Sequence, residues 1–131
     1  MNKKNKSREL IFKGLTMHLD GKSLKNIYAI YDKFYIDYKF SQKDKSFVKY
    51  ITIEAITNRG TIEIILNNYL TRPLPKKISQ IKAGMMLGIT QIVFSKVESY
   101  ASVNTTVELF KGRIFKWRAL ANAVLRKVDK D

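Results

Sequence analysis

Apolar residues recur every three or four positions through almost the whole chain, and its two prolines stand nearly together, at Pro73 and Pro75. That period is the signature of one-sided helices; a half-buried strand alternates with a period of two. Proline lacks the backbone donor and clashes with the preceding turn, so helix interiors exclude it. The stretch Thr-Arg-Pro-Leu-Pro-Lys-Lys at 71–77 is therefore a stiff connector, and the chain on either side is left to be helical.

The helix signals fall in order. A first helix is expected after Ser7, with Ile11, Leu15 and His18 on one stripe and Leu10, Gly14 and Met17 beside it; Asp20-Gly21 ends it, since glycine accepts the left-handed conformation of a C-cap. Ser23 caps a second helix at about 24–35, with Tyr28, Tyr31 and Tyr35 in helical register. Ser-Gln-Lys-Asp at 41–44 resembles a capping box and opens a third, in which Phe47, Ile51 and Ala55 share a face. Gly60 is expected to end that helix and Thr61 to cap the next, which runs to about Leu70. Ile78, Ile81, Met85, Ile89 and Ile92 mark an amphipathic helix over 77–94, and shorter ones follow at 102–110 and 116–128. Ile-Glu-Ile-Ile-Leu at 62–66 is too short to argue for a strand. The expectation is all-α: a compact bundle of about seven helices in a single domain over 1–131, with a flexible basic arm at 1–6.

Independent catalysis finds little support. The chain has no cysteine, which removes disulfides, thiolate metal sites and cysteine nucleophiles together. Its single histidine, His18, has no carboxylate at helical spacing to orient it and no companion ligands, so it reads as a helix-terminal or core-edge residue. There is no phosphate-binding glycine loop and no nucleophile elbow. Gly-Met-Met-Leu-Gly at 84–88 reads as a place where two helices approach closely. No cofactor, metal or catalytic residue is expected. The N-terminus lacks an uninterrupted apolar segment, and the nearly uncharged run 83–95 is too short to span a bilayer, which favours a soluble, cytoplasmic protein with no membrane partner.

The charge carries more information. Lysine plus arginine number 25 against 11 acids, a formal net charge of +14. An AT-rich coding bias accounts for lysine outnumbering arginine but not for the shortage of acids, and the imbalance favours a polyanionic partner. The distribution is uneven. Residues 111–127 hold Lys111, Arg113, Lys116, Arg118, Arg126 and Lys127 without an acid, and the first eight residues add Lys3, Lys4, Lys6 and Arg8. Brought to one side, the N-terminal segment and the last helices form a basic face, with Lys3, Lys4, Lys6, Arg8, Lys111, Arg113, Lys116 and Arg118 as candidate contacts for a polyanion such as nucleic acid. The aromatic stripe Tyr28, Tyr31, Tyr35 is read as core; Tyr38 is the candidate exposed stacking ring, and Trp117 a helix anchor.

Four stretches taken in register resemble a known family: Thr-Asn-Arg-Gly-Thr through Arg-Pro-Leu (57–74), Ile-Lys-Ala-Gly-Met-Met-Leu-Gly-Ile-Thr-Gln (81–91), Ala-Ser-Val-Asn-Thr-Thr-Val-Glu-Leu (101–109) and Leu-Ala-Asn-Ala-Val-Leu-Arg-Lys-Val (120–128). The pattern resembles the NusB family, and more closely the NusB-like N-terminal domain of rRNA cytosine-5 methyltransferases of the RsmB/Fmu/Sun type. The resemblance implies a seven-helix RNA-binding fold. It also implies that Lys3, Lys4, Lys6 and Arg8 stand where NusB carries a basic segment that helps bind a boxA-like single strand beside a ribosomal small-subunit protein. In the methyltransferases the SAM-binding catalytic domain follows this region. The chain departs from the pattern where Glu98 and Tyr100 replace a proline and a histidine, where Thr105 replaces an acid, where Ile53-Glu54 replaces Tyr-Gly, and in preferring lysine to arginine in its first residues.

The function expected is thus a free-standing, non-catalytic RNA-binding module acting in antitermination, transcription regulation or rRNA processing. One alternative is the detached or truncated N-terminal domain of an rRNA methyltransferase whose catalytic domain sits on another chain. The other is a helical module that binds a ribosomal or transcription protein.

Overall fold

The computed structural model describes residues 3–95, 97 and 99–131. Among them are seven α-helices and no strand: α1 Lys3–Leu19, α2 Leu24–Asp37, α3 Gln42–Thr57, α4 Arg59–Tyr69, α5 Ser79–Ile89, α6 Ser99–Val107 and α7 Arg118–Lys130. A π-turn, Thr90–Phe94, prolongs α5, and a 3-10 segment, Gly112–Trp117, leads into α7. The all-α expectation holds.

The caps explain most boundaries. Ser23 Oγ accepts from the Asn26 amide and Ser41 Oγ from the Asp44 amide, each satisfying a donor that a helix start leaves orphaned. At the end of α1, Gly21 takes φ +88°, while the Lys22 amide reaches Met17 O and the Gly21 amide reaches His18 O, the paired bonds of a Schellman turn. Lys39 does the same work after α2 at φ +51°, without glycine's freedom.

Several boundaries differ from expectation. α1 begins at Lys3 rather than after Ser7, so the segment read as an arm is helical from Lys3 onward. Asn5 and Ser7 are buried there, and a Lys6–Glu9 pair at 3.2 Å ties the first turns together. Gly60 does not end α3, nor does Thr61 cap α4. Asn58 does the turning: its amide hydrogens reach the carbonyl and the carboxylate of Glu54, and its own carbonyl accepts the first bond of α4.

α5 packs against α1, α3, α4, α6 and α7, and is the axis of the bundle. It was expected to be amphipathic. Instead Ile81 and every residue from Ala83 to Gln91 are buried, because neighbours surround it on all sides. Gly84 and Gly88 make that possible: a Cβ on Gly84 would lie 2.6 Å from the Phe110 ring, and one on Gly88 2.6 Å from the Leu125 methyls of α7. The close approach read from Gly-Met-Met-Leu-Gly is present. Tyr31 is fully buried and shares a hydrogen bond of 2.8 Å with Thr52, while Tyr28 and Tyr35 sit at the core's edge, as a core stripe would. No helix among the described residues is long and apolar enough to cross a membrane.

Candidate nucleic-acid interface

Two segments distant in sequence meet at one end of the molecule: the start of α1, and the run from the end of α6 into α7. Asn5 Nδ2 donates to Glu108 Oε2 at 2.8 Å across that junction. Glu9 receives Lys6 at 3.2 Å and Lys111 at 3.9 Å, so one carboxylate gathers a cation from each segment. Arg118 Nε donates to Phe110 O at 3.2 Å and Nη2 to Glu108 O at 3.4 Å, which pins the guanidinium against the carbonyls left where α6 ends. Lys111 and Lys116 are exposed. Lys6, Lys111 and Arg118 are thus brought together around Glu9 and the α6 terminus.

The remaining candidates are placed differently. Arg113 is exposed and turns toward Gln80 at the start of α5, with Nε 3.5 Å from Oε1. Arg8 is only 8% exposed, and its Nε donates to Gln91 Oε1 at 2.9 Å. Gln91 in turn donates to Leu87 O at 3.3 Å and Thr106 Oγ1 at 3.1 Å. The π-turn presents Gln91 at that junction, so one buried network joins α1, the end of α5 and α6. Burial lowers the Arg8 pKa, yet a guanidinium remains cationic. Its side chain lies 5.2 Å from the Phe47 ring centroid and lines a groove of about 320 Å³ with Lys43, Asp44, Phe47, Ala101 and Thr105. The side chains of Lys3, Lys4 and Tyr100, and the whole of Glu98, lie outside the described residues.

Tyr38 is 46% exposed, but Lys6 Nζ stands 4.1 Å from its ring centroid and the Phe34 ring 4.4 Å away. Trp117 packs against the core. His18, also at the core's edge, has Nε2 3.2 Å from Arg59 Nη1; burial, and then Arg59, lower its pKa. A neutral imidazole accepts that bond at Nε2, which puts its proton on Nδ1.

The helix order, the buried α5 and the α1–α6 junction frame the comparison with known proteins. The family described as NusB matches residues 5–130, nearly the whole chain. The chain belongs to the NusB family. It is similar to ribosomal RNA small subunit methyltransferase B of Xanthomonas campestris, 29% identical over 91 residues, which cover 68% of this chain and 21% of that protein. The protein of the same name from Cronobacter sakazakii is 24% identical over 96 residues, 72% of this chain and 22% of that protein. The Salmonella typhi protein is 24% identical over 135 residues, covering 99% of this chain and 30% of that one. The chain therefore spans less than a third of these relatives' length.

Within this NusB-family domain, four side chains beside the candidate residues are not singled out as sites by the sequence, where Arg126 counts only as one cation of the last basic run. Arg126 donates from Nε to Asn122 Oδ1 at 3.0 Å and from Nη2 to Asn104 Oδ1 at 3.5 Å, joining two asparagines of the family motifs. Lys43 and Phe47 of α3 line the Arg8 groove. Phe115 is 58% exposed although an apolar residue before a helix reads as core. The 3-10 segment, with its three-residue repeat, turns Phe115 outward and Ile114 inward, and no α-helical period marks that step.

Proposed function

We propose that this chain is a non-catalytic RNA-binding module of the NusB type, which holds the phosphates of an unpaired strand at the α1–α6–α7 end. The observation that carries the reading is the gathering of Lys6 and Lys111 on Glu9, beside Arg118 and Lys116, in a chain of net charge +14. Lysine heads on a scaffold of fixed carbonyls and carboxylates suit phosphate positioning more than base reading. Lys3, Lys4 and Arg113 remain candidate phosphate contacts from the sequence, and Arg8 acts from the groove floor as a positioning group. The RNA is a boxA-like single strand or rRNA, engaged in antitermination, transcription regulation or rRNA processing. Similarity to rRNA methyltransferases over less than a third of their length favours the rRNA branch, with a catalytic domain supplied elsewhere, on another chain or on more of this one. We place the protein in the cytoplasm.

A specific observation favours a protein partner as well. At the other end of α1 a groove of about 410 Å³ is floored by Leu19, Leu66, Leu70 and Leu74, with Arg59, Lys76 and Lys82 along it and no aromatic ring. Such a lining suits aliphatic side chains better than stacked bases, and it is where a ribosomal small-subunit protein would bind.

Fluorescence anisotropy with a boxA-like strand, its scrambled counterpart and an rRNA hairpin tests the proposal. The expected result is binding of the unpaired strands in preference to the hairpin. Equal, negligible affinity for all three at low salt would refute it.

A further inference from the structure

The phosphate-holding reading leaves open how an unpaired base is engaged, and the surface beside Arg118 answers that. The side chains of Val107, Phe115, Lys116, Arg118, Ala119 and Asn122 line an open groove of about 420 Å³ between the end of α6 and the start of α7. That volume lies within the range of small-ligand sites, roughly 300–1,000 Å³. Its lining contains one aromatic ring, two cations, one amide and no acid. Phe115 is 58% exposed, and the Arg118 guanidinium lies 4.8 Å from its ring centroid.

The geometry points to this groove as a nucleobase-stacking site, with Phe115 as the platform and Arg118 as the adjoining cationic plane. The inference rests on the RNA-binding reading above and adds to it a residue and a ligand class: one unpaired nucleotide, its base on Phe115 and its phosphate toward Lys116. Three observations favour a nucleotide over an apolar protein segment. Both charged residues of the lining are cations. Arg118 is held in place by Glu108 O and Phe110 O, so its planar face is set before any ligand arrives. Asn122, whose Oδ1 accepts from Arg126, keeps its Nδ2 hydrogens as donors for an acceptor on a base edge. Tyr38, another exposed ring near the basic face, has a cation beside it as Phe115 does, but it is also packed by the Phe34 ring at 4.4 Å and is less exposed, 46% against 58%.

Stacking is sequence-tolerant because every base has a π-face, and its loss on alanine substitution amounts to roughly tenfold or more in affinity. The test uses the full chain and a short unpaired strand carrying 2-aminopurine, whose fluorescence is quenched by stacking. With the wild type, binding is expected to change that fluorescence. Phe115→Ala should weaken binding about tenfold and abolish the change while leaving the salt dependence intact, since no charge is removed. Phe115→Trp should retain both, and Phe115→Leu, which keeps apolar bulk without a ring, should behave like the alanine variant. If the wild type binds no RNA, the RNA-binding reading fails and this inference falls with it. If the wild type binds and Phe115→Ala binds equally well, the stacking inference alone is overturned. Unchanged RNA affinity together with loss of self-association in sedimentation would overturn it in favour of a protein contact.

Discussion

Gly84 and Gly60 both lie in helices, where alanine ordinarily stabilises by about 1 kcal/mol. The structure separates them. A Cβ on Gly84 would sit 2.6 Å from the ring of Phe110, which is fully buried and has nowhere to move, whereas one on Gly60 would meet nothing within 4 Å. Gly84→Ala is expected to lose about 1–3 kcal/mol by overpacking. Gly60→Ala should gain up to about 1 kcal/mol. Urea denaturation of the two variants decides; equal shifts would mean that α5 is not packed as described. His18 gives a second residue-scale prediction. Burial and Arg59 hold its pKa below the ordinary 6.5. Below that value the unfolded chain binds the proton first, so stability is full above about pH 6.5 and declines as pH falls toward the lower folded pKa. His18→Gln should flatten that part of the acid limb. Urea midpoints at about pH 7.5 and about pH 5.5 measure it, and an unchanged limb would assign the slope to other groups.

At the scale of elements, much of the fold was legible because its signals are local. Ser23, Ser41 and Gly21 mark helix ends through bonds spanning a few residues, and each was found where the sequence put it. Gly60 misled because a side chain, Asn58 folding back on Glu54, made the turn without a positive φ. The π-turn was illegible for a different reason. Thr90 Oγ1 bonds to Met86 O and Ser95 Oγ to Gln91 O, but apolar periodicity cannot distinguish a widened turn from the helix it prolongs. That turn sets Gln91 between Arg8 and Thr106. Gln91→Leu removes the acceptor that Arg8 Nε uses inside the bundle, and is expected to cost about 1–3 kcal/mol. Thermal denaturation followed by circular dichroism checks this. A loss well under the lower figure would mean that the network does not join α1 to α6.

Across the whole molecule, the excess of cations was readable from composition, and the two basic segments from their spacing. Their meeting was not. Asn5 and Glu108 are 103 residues apart, and nothing local announces that bond or the sharing of Glu9 between Lys6 and Lys111. The result is a bundle whose one end carries cations on a rigid frame and whose other end carries a leucine-floored groove. Lys111 and Lys116 are exposed and contribute little to folding, whereas Lys6, its side chain 18% exposed, also pairs with Glu9 and packs on Tyr38. Neutralising all three should cost at most about 1 kcal/mol, arising at Lys6, while removing affinity for RNA. The most direct measurement is the affinity for an unpaired RNA strand across a range of salt concentrations, for the wild type and for the triple variant Lys6→Gln, Lys111→Gln, Lys116→Gln. If about five phosphates are neutralised, the wild-type log–log slope is about −3.5, and each lost contact should reduce its magnitude by about 0.7. A triple variant with a slope near −1.4 supports the basic face as the RNA site. A variant with the wild-type slope and affinity would contradict it.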